Sequence, residues 1–510
     1  MAMPNHRKYP PLQELSKADI VVVGGGGSGL AAAVRAAELG SRVILLEKDK
    51  RLGGTTRFSL GAFAASNSSL QRQAGIQDSP GQQFADMSAL SGPNENRDNA
   101  SLRQVFTENS GRTLDWLLSH GVRFYGPLAD ESMNSVPRMC IVLPSSSAYI
   151  YRLRRAARKL GVAIVTGCRV NSLSYNEDGS IGGATSSLTD GRTLHVEAPN
   201  VILAGGDLSA NEQLKRKHTR EDLSHVDAIN SASTGDGIDL GMAAGGRTLN
   251  GDLEPPARLW LPFRPPAIMH SIPAILPITV AMRSALNVLP KTLTDLLGAA
   301  VATHFITLSP KAFTEGAVLV NGEGKRFMTE TSGKWEAIAA QPGQYAFMIL
   351  GKRLVDLFGK GPNYLASNGI VGSTVLGDYR RYRRDIYCRA SSLSELAERV
   401  GIPSVQLRET IEEYNAEVPS HRQLTGPPYV TLGPMSARIT ISNTGLAVDR
   451  ELRVLKGDAP IPGLYAVGSN GQGGLLLQGM GVHIGWAFVS GCLAAEHATG
   501  RLSCLRTRNA

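Results

Sequence analysis

Cysteine is scarce in this 510-residue chain: Cys140, Cys168, Cys388, Cys492 and Cys504 are all there is. They are scattered, and none stands in a C-x-x-C pair. That pattern excludes a zinc or iron–sulfur reading, predicts no metal, and fits a reducing compartment. No uninterrupted apolar run reaches the roughly 20 residues that a membrane-spanning helix needs. The opening residues, MAMPNHRKYPPLQELSKAD, lack an apolar signal core and read as a polar lead-in to the first strand. A nucleic-acid recognition motif is missing as well. The net charge of +9 is moderate for this length and suits acidic partners or an anionic membrane surface. Length predicts two to three domains, and the apolar fraction is enough for a large core.

What is present is a strand–turn–helix–strand unit. Ile20-Val21-Val22-Val23 is an apolar run suited to a buried parallel strand. Gly24, Gly26 and Gly29 follow in G-x-G-x-x-G register, with Gly27 and Ser28 between them. Gly24 permits a tight turn, Gly26 lets backbone approach a pyrophosphate, and Gly29 lets helix pack on strand. Leu30 to Leu39 has helix composition, and Gly40 can end it. Arg42 to Leu46 reads as a second strand, finishing on Glu47, whose carboxylate suits ribose hydroxyls. A glycine-rich turn without a ligand would leave Glu47 unexplained. No second G-x-G-x-x-G unit follows, so bound NAD(P) is not expected.

The loop Lys48-Asp49-Lys50-Arg51-Leu52-Gly53-Gly54-Thr55-Thr56 adds a second glycine turn directly after the acid. Farther on stand NVILAGGD at 200–207, GAVLVNGEGKRFMTE at 316–330, and NTGLAV at 443–448. PIPGLYAVG at 460–468 and GQGGLLLQGMGVHIGWAFVSG at 471–491 complete the set. Together these resemble the fumarate reductase and 3-ketosteroid dehydrogenase superfamily of FAD enzymes, the FAD-binding-2 type flavoproteins. The resemblance leans toward the ketosteroid dehydrogenase-like members. It implies an FAD held by Gly24, Gly26, Gly27, Ser28, Gly29, Glu47, Lys48, Gly53, Gly54, Thr55 and Thr56. It adds Ser59, Gly61, Val170, Ala204, Gly205, Gly206, Gly468, Ser469, Gly481, Val482 and Ile484. Members with covalent flavin carry a histidine after the glycine loop. None occurs between Lys48 and Ser119, so non-covalent FAD is expected. A helix beginning near Gly481 would aim N–H groups at the flavin pyrimidine.

The same resemblance locates the substrate chemistry, and here the chain departs from its pattern. Three slots that hold carboxylate-binding residues in the C4-dicarboxylate reductases carry Lys334, Gln478 and Ile441. Losing bidentate arginines removes planar carboxylate recognition, so fumarate is not the expected substrate. The tyrosine slots of the steroid dehydrogenases carry Lys334 and Leu477. Lys334, Gln478 and His483 are the catalytic candidates, Lys334 as a proton carrier and the other two as carbonyl or flavin contacts. The alternatives are an exposed loop lysine and a histidine that only packs.

The implied fold class is α/β: a Rossmann-like FAD-binding domain of the two-dinucleotide-binding type with an inserted α+β substrate or cap domain. The expected boundaries are 1–254 and 428–510 for the FAD-binding domain and 255–427 for the insert. The basic run 378–389 reads as a solvated patch. Residues 267–308 are apolar but broken by Pro273, Pro277, Pro290, Arg283, Lys291 and Asp295. They read as inserted core, as an apolar substrate entrance, or as a peripheral membrane contact. The expected function is oxidation or reduction of a C–C bond next to a carbonyl on a small hydrophobic, steroid-like substrate. An unidentified electron acceptor or donor would complete the cycle, in a cytoplasmic protein that touches a membrane at most peripherally. The alternatives are a reductase of a polar enoate and a non-catalytic flavin or electron carrier.

Overall fold

In the computed structural model, residues 15–129, 134–253, 257–260, 272–290, 298–303, 310–327, 336–368 and 372–500 are described. Strand β1 (Ile20–Val23) is buried at every residue, as a strand covered on both faces must be. It leads through helix α1 (Gly27–Glu38) to β2 (Val43–Glu47). β3 (Ala163–Thr166) and β4 (Asn200–Leu203) follow, then the hairpin β5 (Arg453–Lys456) and β6 (Ala459–Ala466), and helix α2 (Val482–Ala498). The six strands form one sheet in the order β5-β6-β4-β1-β2-β3. Every pair is parallel except the β5–β6 hairpin. Parallel neighbours need crossovers, and the long excursions between β2, β3, β4 and β5 supply them.

The motifs far apart in sequence meet at the strand ends of this sheet. α1 is rich in alanine, and α2 lies across it on small residues. A Cβ added at Gly491 would stand 2.4 Å from the Ser28 carbonyl oxygen. That close crossing brings the start of α2 toward the start of α1. The three antiparallel strands Cys168–Tyr175, Ile181–Leu188 and Thr193–Glu197 form a meander. Another three-stranded sheet joins Ala62–Ala64 to Met139–Leu143 and Arg123–Leu128. The helix Leu276–Val288, in the apolar stretch 267–308, packs on the last two of these strands.

The second unit is built on an antiparallel sheet. Its strand Tyr429–Ile439 pairs with Ala257–Trp260, Ala346–Leu350 and Tyr387–Ala390. Val318–Asn321 adds outside Ala346–Leu350. The sheet therefore runs past residue 427, where the insert was expected to end. The prolines at 427–428 mark the start of this eleven-residue strand rather than a change of unit. The chain rejoins the first unit where Gly445–Leu446 pairs with Thr248–Leu249. Helices Leu393–Val400 and Ser404–Glu417 are joined at Gly401, in left-handed backbone at φ 76°. The run 378–389 is not uniformly solvated: Arg383 is buried and gripped by Asp385 at 2.9 and 3.0 Å, and Tyr379 is buried beside it.

Candidate functional site

The glycine turn after β1 separates three jobs that the motif combines. The backbone of Gly24, at φ 109°, would bring an added Cβ to 2.4 Å from the Ala204 oxygen, so β1 and β4 close against each other here. A Cβ on Gly29 would stand 1.9 Å from the Gly24 oxygen, so α1 packs on the turn at backbone contact. A Cβ on Gly26 would meet nothing within 4 Å. It points into an open cradle at the start of α1, where the N-cap glycine brings no side chain and Thr56 Oγ1 accepts from the Gly27 N–H at 3.1 Å. The positive end of the helix dipole at a glycine-lined hollow fits a pyrophosphate.

Glu47 ends β2 at the same hollow. It accepts from Gly25 N–H at 2.6 Å and Asp49 N–H at 2.8 Å. Burial raises its pKa, and those two backbone donors offset the rise only in part. An ionised carboxylate has about four acceptor positions, so two remain for ribose hydroxyls. The cavity beside it, about 860 Å³, is lined by most of the residues expected to hold FAD. They include Gly24, Gly26, Gly27, Ser28, Glu47, Lys48, Gly54, Thr55, Thr56, Val170, Ala204, Gly205, Gly206, Gly468 and Ser469. Gly53 supports the loop instead, its N–H donating to Gly25 O at 2.9 Å. Lys48 turns its ammonium onto Asp236 at 3.0 Å and onto the Thr234 hydroxyl.

Several lining residues had no motif to announce them. Asn230 Nδ2 donates to Thr55 Oγ1 at 3.0 Å and Ser233 Oγ at 3.2 Å, tying the glycine loop to the segment before Asp236. Asn470 Oδ1 accepts from Gly205 N–H at 3.0 Å and holds the loop after β4. Burial alone would raise the Asp236 carboxyl. Lys48, Thr234 and Arg169 together hold it below the usual range.

A second cavity of about 1060 Å³ continues from the first, sharing Thr55, Thr56, Ser469 and Ala487. Ser59, Gly61, Gly481, His483 and Ile484 line it. The backbone at Gly61 is fixed from two sides. Its N–H donates to Ser59 Oγ at 3.1 Å, and its carbonyl accepts from the buried Tyr149 hydroxyl at 2.8 Å. Gly481 is the N-cap of α2 and lines this cavity, so the positive end of the helix dipole lies at its wall. The remaining wall is apolar: Phe58, Leu60, Ile229, Ile441, Met480 and Ile484. His483 is the single titratable side chain among the described lining residues. Gln478 is exposed and is not among them, and Leu477 is buried. Lys334 lies outside the described residues. Among those described, no cluster of histidine, cysteine or carboxylate could hold a metal.

Comparison with known proteins agrees with this geometry. The family profile described as "FAD binding domain" matches residues 19–475. The NADH:fumarate oxidoreductase of Klebsiella pneumoniae is 26% identical, over 88% of this chain and 44% of its own length. The chain thus spans less than half of that relative. A KsdD-like steroid dehydrogenase of Mycobacterium tuberculosis is 26% identical over 95% of both chains. Among solved structures, the open conformation of a flavocytochrome c3 fumarate reductase superposes with a TM-score of 0.72 at 23% identity. That match covers 96% of this chain and 80% of the other.

Proposed function

The chain belongs to the FAD binding domain family, and from that premise we propose that it is an FAD-dependent oxidoreductase acting on the CH–CH group next to a carbonyl of an apolar substrate. The two joined cavities fit the cofactor: the first matches a dinucleotide with its pyrophosphate on α1, the second an isoalloxazine ring at the start of α2. Bound FAD supplies hydride transfer. The protein's part is to orient the ring, exclude water and polarise the carbonyl. The positive end of the α2 dipole, at Gly481 and Val482, favours negative charge on the flavin pyrimidine. The absence of a histidine between Lys48 and Ser119 supports non-covalent attachment.

One observation carries the choice of substrate. The second cavity, which takes the flavin ring and the substrate against it, is walled by Phe58, Leu60, Ile229, Ile441 and Met480, with no arginine or lysine among its described residues. A dicarboxylate buried there would lose its hydration with at most the Lys334 ammonium to pair its two charges, at a cost of several kcal/mol for the unpaired one. A cyclic enone or the matching saturated ketone buries apolar area instead and needs a donor only at its oxygen. The steroid dehydrogenase relative, alike over nearly its whole length, supports this direction. Lys334 as proton carrier and His483 as carbonyl contact remain part of the proposal. The test is a binding titration of the oxidised protein, read from the visible flavin spectrum. A flat cyclic enone should perturb the spectrum in a saturable way while fumarate and succinate leave it unchanged. Saturable perturbation by the dicarboxylates alone would refute the substrate class.

A further inference from the structure

The loop after β4 carries a buried carboxylate that the flavin chemistry does not use. Asp207 follows Gly205 and Gly206, which line the dinucleotide cavity, and is itself 2% exposed. Its hydrogen-bond partners are neutral. One oxygen accepts from the Ser209 hydroxyl at 2.8 Å and the Ser209 N–H at 3.3 Å. The other accepts from the Ser442 N–H at 2.6 Å, across 235 residues of sequence. Burial raises the Asp207 pKa, and these donors, with the Ser233 hydroxyl, offset the rise only in part. Burying a carboxylate is costly unless it is hydrogen-bonded, and here one of the bonds reaches a distant segment.

Ser442 lies on the stretch that carries the chain back from the insert. The strand Tyr429–Ile439 ends just before it, and Thr440 and Ile441 line the apolar cavity. Ile439 donates to the Asp227 carbonyl at 2.8 Å and accepts from the N–H of Ile229, another wall residue, at 2.9 Å. Farther along, Leu446 N–H donates to the Asn470 carbonyl at 2.8 Å. Between these two anchors Ser442 N–H reaches the Asp207 carboxylate, one peptide bond away from Ile441. The loop that bears Asp207 has backbone anchors of its own. Ala204 N–H donates to Val23 O at 2.8 Å, and Gly205 N–H to Asn470 Oδ1 at 3.0 Å. The Asp207 carbonyl accepts from Gly235 N–H at 3.0 Å. The carboxylate is therefore fixed from the cofactor side.

We propose that Asp207 is a positioning residue: its carboxylate holds the Ser442 N–H and so sets the Ile441 side chain of the apolar wall against the flavin position. This rests on the reading of the second cavity as the place of flavin ring and substrate. Removing the carboxylate frees the wall and leaves the cofactor loop on its three backbone bonds. Substrate affinity then falls while FAD affinity does not. An asparagine keeps an oxygen for Ser442 and turns its NH2 toward the Ser209 hydroxyl, which is able to accept. Asparagine should therefore restore what alanine loses. A merely structural part in the fold would lower both affinities together.

Hydrogen exchange and two titrations of the full-length protein test this. Exchange at the Ser442 amide of the holoprotein, resolved by fragmentation mass spectrometry, reads the bond itself. Asp207→Ala should speed it by about tenfold or more, and Asp207→Asn should stay within about twofold of the parent. Titration of the flavin-stripped chain with FAD should give affinities within about twofold of the parent for both variants. Titration of the holoprotein with a flat cyclic enone, read from the visible flavin spectrum, should show affinity lowered about fivefold or more in Asp207→Ala and restored in Asp207→Asn. Unfolding curves establish that each variant is folded. If Asp207→Ala is not, the parent decides: a Ser442 amide protected like that of Leu446 supports the proposal, and one exchanging like an exposed loop amide overturns it. Unchanged Ser442 exchange in folded Asp207→Ala, or an FAD affinity that falls as far as the enone affinity, would also overturn it. Should no enone perturb the parent spectrum, the substrate reading fails, and Ser442 exchange still decides for or against Asp207.

Discussion

Replacing each of two glycines of one motif by alanine should give opposite results. At Gly29 the new methyl would lie 1.9 Å from the Gly24 oxygen and 3.2 Å from Ala204 Cβ. The obstacle is backbone in a turn already closed against β4, so the helix must move. Overpacking of this kind costs about 1–3 kcal/mol, and contact with backbone places Gly29→Ala at the upper end. At Gly26 the backbone is at φ −73° and ψ −171°, which any residue adopts, and the methyl meets nothing. The flavin-free Gly26→Ala protein should match the parent within about 0.5 kcal/mol. Its methyl instead occupies the space where the pyrophosphate would approach. The variant should lose the stabilisation that FAD gives the parent, about 2.7 kcal/mol at a hundredfold excess over Kd. Urea unfolding of flavin-stripped protein, with and without added FAD, measures both effects. A stable flavin-free Gly29→Ala protein, or a Gly26→Ala protein that FAD stabilises as it does the parent, would refute the division of labour.

Tyr149→Phe removes one of the two donors to the Gly61 carbonyl and leaves the Val142 N–H bond at 3.2 Å. It should cost about 0.5–1.5 kcal/mol in thermal or urea unfolding, and an unchanged midpoint would show the bond contributes nothing. Asp236 has a lowered pKa in the fold, so its contribution to stability is present above its unfolded value near pH 4 and lost as pH falls through the folded value. Asp236→Asn should therefore be less stable than the parent at neutral pH by about 1 kcal/mol, with the gap closing in acid. A gap independent of pH would argue against the Lys48 and Arg169 pairing. Burial pushes the Cys140 thiol up to about 12, so a thiol reagent at about pH 8 should leave it untouched in the native protein. Mass spectrometry of the labelled peptide reads the outcome.

The first unit was legible because its constraints are local. The β1 run, the glycine spacing and Glu47 each declare their purpose within a few residues. NVILAGGD does the same for β4, which lies beside β1, and PIPGLYAVG for β6 on the far side of β4. The insert was less legible. Tyr429–Ile439 starts directly after two prolines, and nothing in its own sequence says that its partners come from 257, 346 and 387. Pairing of that kind is settled by tertiary packing. The site shows the same divide. Gly26 and Glu47 could be named from spacing, whereas Asn230, Ser233 and Asn470 act through hydrogen bonds to residues far away in sequence. Gln478 illustrates how roles shift across a loop: two residues separate its exposed side chain from Met480, which lines the cavity. Ile441, which stands in one of the three carboxylate-binding slots, is cavity wall.

The most direct measurement of the central claim is reoxidation of the reduced enzyme in a single turnover. The bound flavin is reduced anaerobically and mixed with one electron-accepting olefin at a time, and the return of its visible absorbance is followed. An apolar cyclic enone, such as a 3-keto steroid with a ring double bond, should restore the oxidised spectrum and leave the saturated ketone as product. Fumarate should not do so on the same timescale. Rapid reoxidation by fumarate, with apolar enones inert, would contradict the account and return the cavity to the polar reductases.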